Sequence, residues 1–166
     1  MFSDWFLIVC AVSAIACGLV SGVFLTFSDF VMRSLNGAHT PAGVEVMQII
    51  NREVYRSVFM VLLIGMAVLS PLLIVLAYIG ANGPALTWMT LGGAIYLIGV
   101  FMVTIVFNVP MNKRLDKELY AAAEAARYWT STYWPRWTSW NHVRTAGAAL
   151  AAACYLIACV YLVQPV

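Results

Sequence analysis

At 166 residues the chain has room for one domain, yet 63% of it is hydrophobic, only 10% is charged, and mean hydropathy is +0.89. A soluble domain of this length has too little interior to hide that much apolar surface, so the composition excludes one. The formal charge of +2 gives no argument for nucleic acid, because membrane topology accounts for where the basic residues lie.

Four stretches, about 5–28, 57–79, 85–107 and 143–163, are long enough at about 1.5 Å per residue to cross a hydrocarbon core of roughly 30 Å. Lipid offers no partner to open backbone groups, so each is expected to be a helix. The predicted fold class is an all-α integral membrane protein: one domain over residues 1–166, a four-transmembrane-helix bundle with cytoplasmic interfacial helices. The bilayer is its first expected partner.

The first stretch opens on Asp4 rather than on Lys or Arg, which argues for a retained helix and against a signal peptide. Ala14, Gly18 and Gly22 form a small-residue ridge suited to close helix approach, within one bundle or between two copies in a homo-oligomer. A neighbouring row of Cys10, Ser13, Cys17, Ser21 and Ser28 is expected to face protein. Asp29 closes the inner end, either as a solvated end charge or as a partner for Arg144.

Residues 41–56 place Val44, Met47, Ile50 and Val54 at helical spacing, with Thr40 as cap and Pro41 at the first helical position. This predicts an interfacial helix leading into the second span. Pro71 predicts a kink in that span, and ANGP at 81–84 predicts a tight turn into the third. A second interfacial helix is expected over about 119–134, where AAAEAARYW is rich in helix formers. The fourth span is Ala-rich from Ala146 to Ala153, a close-packing surface.

All nine Lys and Arg fall in the two long connections and at the start of the fourth span. The positive-inside rule therefore puts both connections in the cytoplasm and both termini outside, as in a bacterial inner-membrane protein. Cys10, Cys17, Cys154 and Cys159 show no CxxC spacing and read as small buried apolar residues, so no metal site is expected of them.

Chemistry concentrates at the cytoplasmic end. Thr104, Asn108 and Asn112 recur every four residues in TIVFNVPMNKRLD, on one face if the helix passes Pro110. Amides at the edge of a bilayer need partners, either in a site or as helix-end bonds. The stretch YWTSTYWPRWTSWNHVRT at 128–145 holds Trp129, Trp134, Trp137 and Trp140, four of the six tryptophans, and runs into Asn141, His142 and Arg144. An interfacial aromatic belt accounts for Trp129 and Trp134. Trp137, Asn141 and Arg144 share a face, with Trp140 and His142 beside it. Arg144 either belongs to a site or snorkels to lipid phosphate. Haem ligation through one axial histidine, His39 or His142, stays open, although no cofactor is expected. No nucleophile motif, phosphate loop or dinucleotide fingerprint is present.

FNVPMNKRLD at 107–116 and RWTSWNHVRT at 136–145, with GVFLTFSDFVM at 22–32 and MQIIN at 47–51, resemble the small four-helix membrane proteins of the anthrone oxygenase-like family. The resemblance runs through nearly the whole chain in order and spacing. It implies an oxygenase or oxidoreductase that oxidises an anthrone-like hydrophobic aromatic to its quinone with molecular oxygen. On that reading His142 is the expected base, and Asn108, Asn112, Asn141 and Arg144 are donors to a developing oxyanion. Trp137, Trp140 and Thr104 then bind the flat substrate. The competing reading is a non-catalytic membrane protein that binds a small hydrophobic ligand, haem or a partner protein.

Overall fold

The structure, a computed structural model, describes residues 2–163. The expected domain also includes Met1 and residues 164–166, which lie outside the described residues. Within those described there is no strand. The chain forms α1 (Asp4–Gly37), α2 (Thr40–Glu53), α3 (Val58–Gly80), α4 (Gly83–Lys117) and α5 (Ala123–Val163). All but α2 are long and apolar enough to cross a membrane. Their outer faces carry side chains that a soluble protein would bury, such as Val58, Val68 and Ile79, exposed at 76%, 67% and 77%. A lipid jacket is the solvent such a surface requires.

Three of the long helices run past their expected ends, and the reason is local. Wide turns, with carbonyls bonded five residues on, interrupt α1 at Phe27–Val31, α4 at Tyr96–Met102 and Thr104–Asn108, and α5 at Trp129–Tyr133. Two of these precede Pro110 and Pro135 and make room for a ring and a missing N–H without ending the helix. The interfacial helix expected at 119–134 is therefore not separate: its helical part, from Ala123, is the first turns of α5. By contrast, α2 is a separate helix, followed by a short tight turn at Val54–Arg56 and by Ser57, whose Oγ accepts from the Met60 N–H at 3.2 Å and caps α3.

Within the single bundle the small-residue ridge is not a close helix contact. Ala14 is buried, but Gly18 and Gly22 are exposed with nothing near them. It is the Cys10, Ser13, Cys17, Ser21 row that faces inward, and Ser21 Oγ donates to the Thr145 carbonyl at 3.0 Å. The close helix contact lies elsewhere: a Cβ on Gly147 would fall 3.1 Å from the carbonyl carbon of Gly99, so α4 and α5 meet backbone to backbone.

At the end of the bundle opposite the described termini, α2 is fastened to the long helices. Gln48 Nε2 donates to the carbonyls of Leu115 and Glu118 at 2.7 and 2.9 Å, which ties α2 to the last turn of α4 and the residue after it. Gly43 lies against the Leu35 carbonyl at the end of α1, closer than any Cβ could. A second apolar core forms here, with Met32, Val44, Met47, Leu115, Trp129 and Tyr133 in it.

Candidate functional site

Between this lower core and the bundle lies a cavity of about 530 Å³, within the range of roughly 300–1,000 Å³ usual for small-molecule sites. Phe24, Phe59, Met60, Leu63 and Phe101 give it apolar walls, and Tyr96 OH ties α4 to the Leu63 carbonyl at 3.0 Å. Its polar points are Asn51 and Glu53 on α2, Tyr55 in the turn that follows, Ser57 at the start of α3, Thr104 and Asn112 on α4, and Trp137 and Arg144 on α5.

Arg144 is the unusual group. The other Lys and Arg residues are all exposed or half-buried, whereas Arg144 is 5% exposed. Its Nη2 donates to Asn141 Oδ1 at 2.6 Å, and its guanidinium carbon lies 4.3 Å from the Phe24 ring centre and 5.0 Å from that of Trp137. Stacking of this kind contributes about 2 kcal/mol when desolvated. Nε has no partner, and no carboxylate pairs with the cation among the described residues. Asp29 is not that partner, since it is exposed and pairs with Arg33 at 2.9 Å. Burying a bare cation costs several kcal/mol, so two rings and one amide leave it poorly compensated.

The amides around it are held in fixed orientations. Asn141 Nδ2 donates to the Phe24 carbonyl at 2.6 Å and to Ser28 Oγ at 2.5 Å, which turns its oxygen to Arg144. Asn112 Oδ1 accepts from Trp137 Nε1 at 2.8 Å and from Tyr133 OH at 2.9 Å. Tyr133 OH in turn accepts from Asn51 Nδ2 at 3.2 Å. With its oxygen doubly engaged, Asn112 has its NH2 left without an acceptor among the described residues, on a residue that lines the cavity. Asn108 Nδ2 donates to the Trp137 carbonyl at 3.3 Å, while its oxygen is buried and unpartnered.

Of the residues singled out in the sequence, Arg144, Asn112, Trp137 and Thr104 line the cavity, and Asn141 supports Arg144 from behind. Thr104 Oγ1 is occupied by the Val100 carbonyl at 2.7 Å. Asn108 lies behind the wall. Trp140 is drawn away to stack on Phe107 at 3.6 Å between ring centres, and His142 is exposed on a helix face turned from the cavity. Neither supplies a wall or a base there. His39 is exposed as well, so the cavity presents no imidazole to a haem iron.

The belt assignment also changes. Trp129 is buried, with Nε1 donating to Asn36 Oδ1 at 3.1 Å, and Trp134 Nε1 donates to the Met32 carbonyl at 3.1 Å. Both fasten α5 to the end of α1 instead of floating in headgroups. Tyr133, Asn51, Glu53 and Phe24 were not legible as site residues. Only the four-residue spacing of Trp129, Tyr133 and Trp137 hinted that Tyr133 shares their stack, which it does at 5.4 and 6.2 Å.

Comparison with known proteins agrees with the sequence motifs. The family model described as anthrone oxygenase matches residues 52–154. That span holds Glu53, Thr104, Asn112, Trp137 and Arg144 from the cavity. No curated protein and no solved structure matches the chain.

Proposed function

Because the chain belongs to the anthrone oxygenase family, we propose that it is a membrane-embedded oxygenase of a flat, hydrophobic, anthrone-like aromatic bound in the cavity beneath α3 and α4. The observation that carries this reading is Arg144: a buried cation that no carboxylate pairs with among the described residues, on the lining of a largely apolar cavity, is suited to an oxygen that becomes negative during the reaction.

An anthrone carries a ketone and, across its central ring, a CH2 group. Loss of one proton from that carbon moves the C–H electron pair into the ring and leaves an aromatic alkoxide. The cation and the fixed Asn112 NH2 stabilise this anion more than the neutral ketone, which is the differential binding that accelerates the step. The electron-rich carbon then gives an electron to dioxygen and recombines with it through a new C–O bond. The peroxide takes up a proton, and the hydroperoxide then loses water as its second C–H bond and its O–O bond break and the C=O forms, so one substrate and one O2 yield one quinone and one H2O. Phe24 and Trp137 lie beside Arg144 on the cavity lining, and aromatic walls favour a planar ring system.

The basic residues gather at the end of the molecule that holds the site, and the positive-inside rule assigns that end to the cytoplasm of an inner membrane, with the termini opposite. An apolar substrate would then reach the cavity through the inner leaflet.

The test is purified protein in detergent or nanodiscs with anthrone in air, read as quinone absorbance and oxygen uptake. Quinone formation above the protein-free rate, with one O2 used per substrate, is expected, and R144M is expected to be slower by about 10²–10³-fold. Anthrone that binds without turnover would favour the non-catalytic binder, and wild-type protein that neither binds nor oxidises it overturns the reading.

A further inference from the structure

Oxidation of the CH2 carbon needs a proton acceptor, and the donors around Arg144 supply none. Arg144, the Asn112 NH2, the Asn51 NH2, Trp137 Nε1 and the Tyr55 hydroxyl are donors, and the Thr104 and Ser57 hydroxyls are bonded to backbone carbonyls. His142 stands outside the cavity. Among the residues lining it, one is a Brønsted base of useful strength at neutral pH: Glu53, the last residue of α2.

Resting on the oxygenase reading, we infer that Glu53 is the general base: its carboxylate takes the proton from the substrate CH2 while Arg144 receives the developing oxyanion. Three observations lead there. Glu53 and Arg144 are the two oppositely charged residues of the cavity lining. Glu53 makes no hydrogen bond or ion pair among the described residues, and its neighbour Arg52 is engaged by Asp116 at 3.2 Å and by the Gln48 carbonyl, which leaves the Glu53 carboxylate free to act. Finally, Glu53 is exposed and therefore at the mouth, where a proton taken from substrate passes on to water.

The chemistry balances. The C–H bond breaks, an O–H bond forms on Glu53, and the electron pair of the C–H bond becomes the ring alkoxide facing Arg144. Dioxygen is the oxidant, and Glu53 returns its proton to solvent or to the peroxide as water leaves. A carboxylate is a weak base for a carbon acid. It suffices where strong donors stabilise the conjugate anion, the division of labour by which an Asp base and an oxyanion hole move a proton from carbon in steroid isomerisation. Here the donors are Arg144 and Asn112.

Proton removal can be read apart from oxidation. Full-length protein is incubated with anthrone in deuterium oxide without oxygen, and deuterium entry into the CH2 group is followed by mass spectrometry. Wild type is expected to exchange faster than buffer, E53Q to lose at least about 10²-fold of that rate, and E53D to recover part of it. Quenching of tryptophan fluorescence by anthrone should be alike in wild type and E53Q, since Glu53 is exposed and supports no packing. Exchange at the parental rate in E53Q, while the wild type exchanges and oxidises in air, overturns the assignment of Glu53 and leaves the oxygenase reading intact. A wild type that neither exchanges nor oxidises overturns both.

Discussion

Asn112 and Trp137, on different helices, meet edge to side chain: the indole N–H donates to the amide oxygen at 2.8 Å while the indole face lies beneath the Arg144 guanidinium. One tryptophan thus orients a neutral donor at its edge and a charged one over its face. That coupling makes the consequences of substitution specific.

Asn112→Asp keeps an acceptor for Trp137 and Tyr133 but removes the NH2 and places a counter-charge near Arg144. The protein should fold with a melting midpoint close to the parent, and its anthrone oxidation should fall about 10²-fold or more. Asn112→Leu instead strands two buried donors at about 1–3 kcal/mol each, so its midpoint should drop markedly. Thermal melts alongside the oxygen-uptake assay separate the two variants.

Arg144→Met removes a bare buried cation, which relieves several kcal/mol of desolvation, and leaves Asn141 Oδ1 unpaired, which returns about 1–3 kcal/mol. The midpoint should hold or rise while activity collapses. A fall in midpoint that matched the loss of activity would mark Arg144 as a structural group.

His142→Ala should leave turnover within about twofold of the parent, because the imidazole is exposed and lines no part of the cavity. A loss of tenfold or more in steady-state rate would return the base to His142 and remove it from Glu53.

Gly43→Ala drives a methyl into the Leu35 carbonyl and must shift α2 from the end of α1. Its floor displaced, the cavity should bind anthrone more weakly, and fluorescence titration would report it. Overpacking of this kind typically costs about 1–3 kcal/mol, so a lower melting midpoint should accompany it.

The sequence made the membrane class and the number of spans legible, because apolar length is a local signal. Asn108, Asn112, Asn141 and Arg144 do converge at one depth. What the pattern could not tell was direction. His142 and Arg144 are two residues apart, and only the rotation of α5 against α1 decides that Arg144 faces inward and His142 outward. Trp129 and Trp134 could not be told from a belt, since a belt and a fastening share a composition and differ only in whether the N–H finds Asn36 or Met32. Glu53 was hidden because a charge on an amphipathic interfacial helix ordinarily faces water. Its place in the cavity is set by how α2 docks under α4.

The wide turns in α1, α4 and α5 carry a further implication for how this chain can vary in length. Each absorbs one extra residue within a helix, so that the remainder of the helix keeps its heading. Deleting a single residue from Phe27–Val31 restores regular helical bonding and leaves Met32 and Asn36 facing Trp134 and Trp129. Deleting one from a regular stretch of α1 instead rotates the rest of the helix by about 100° and shifts it by about 1.5 Å, which turns Met32 and Asn36 away. The wide turns are therefore where a helix of this bundle gives up a residue at least cost, and single-residue deletion scanning should find its mildest losses there.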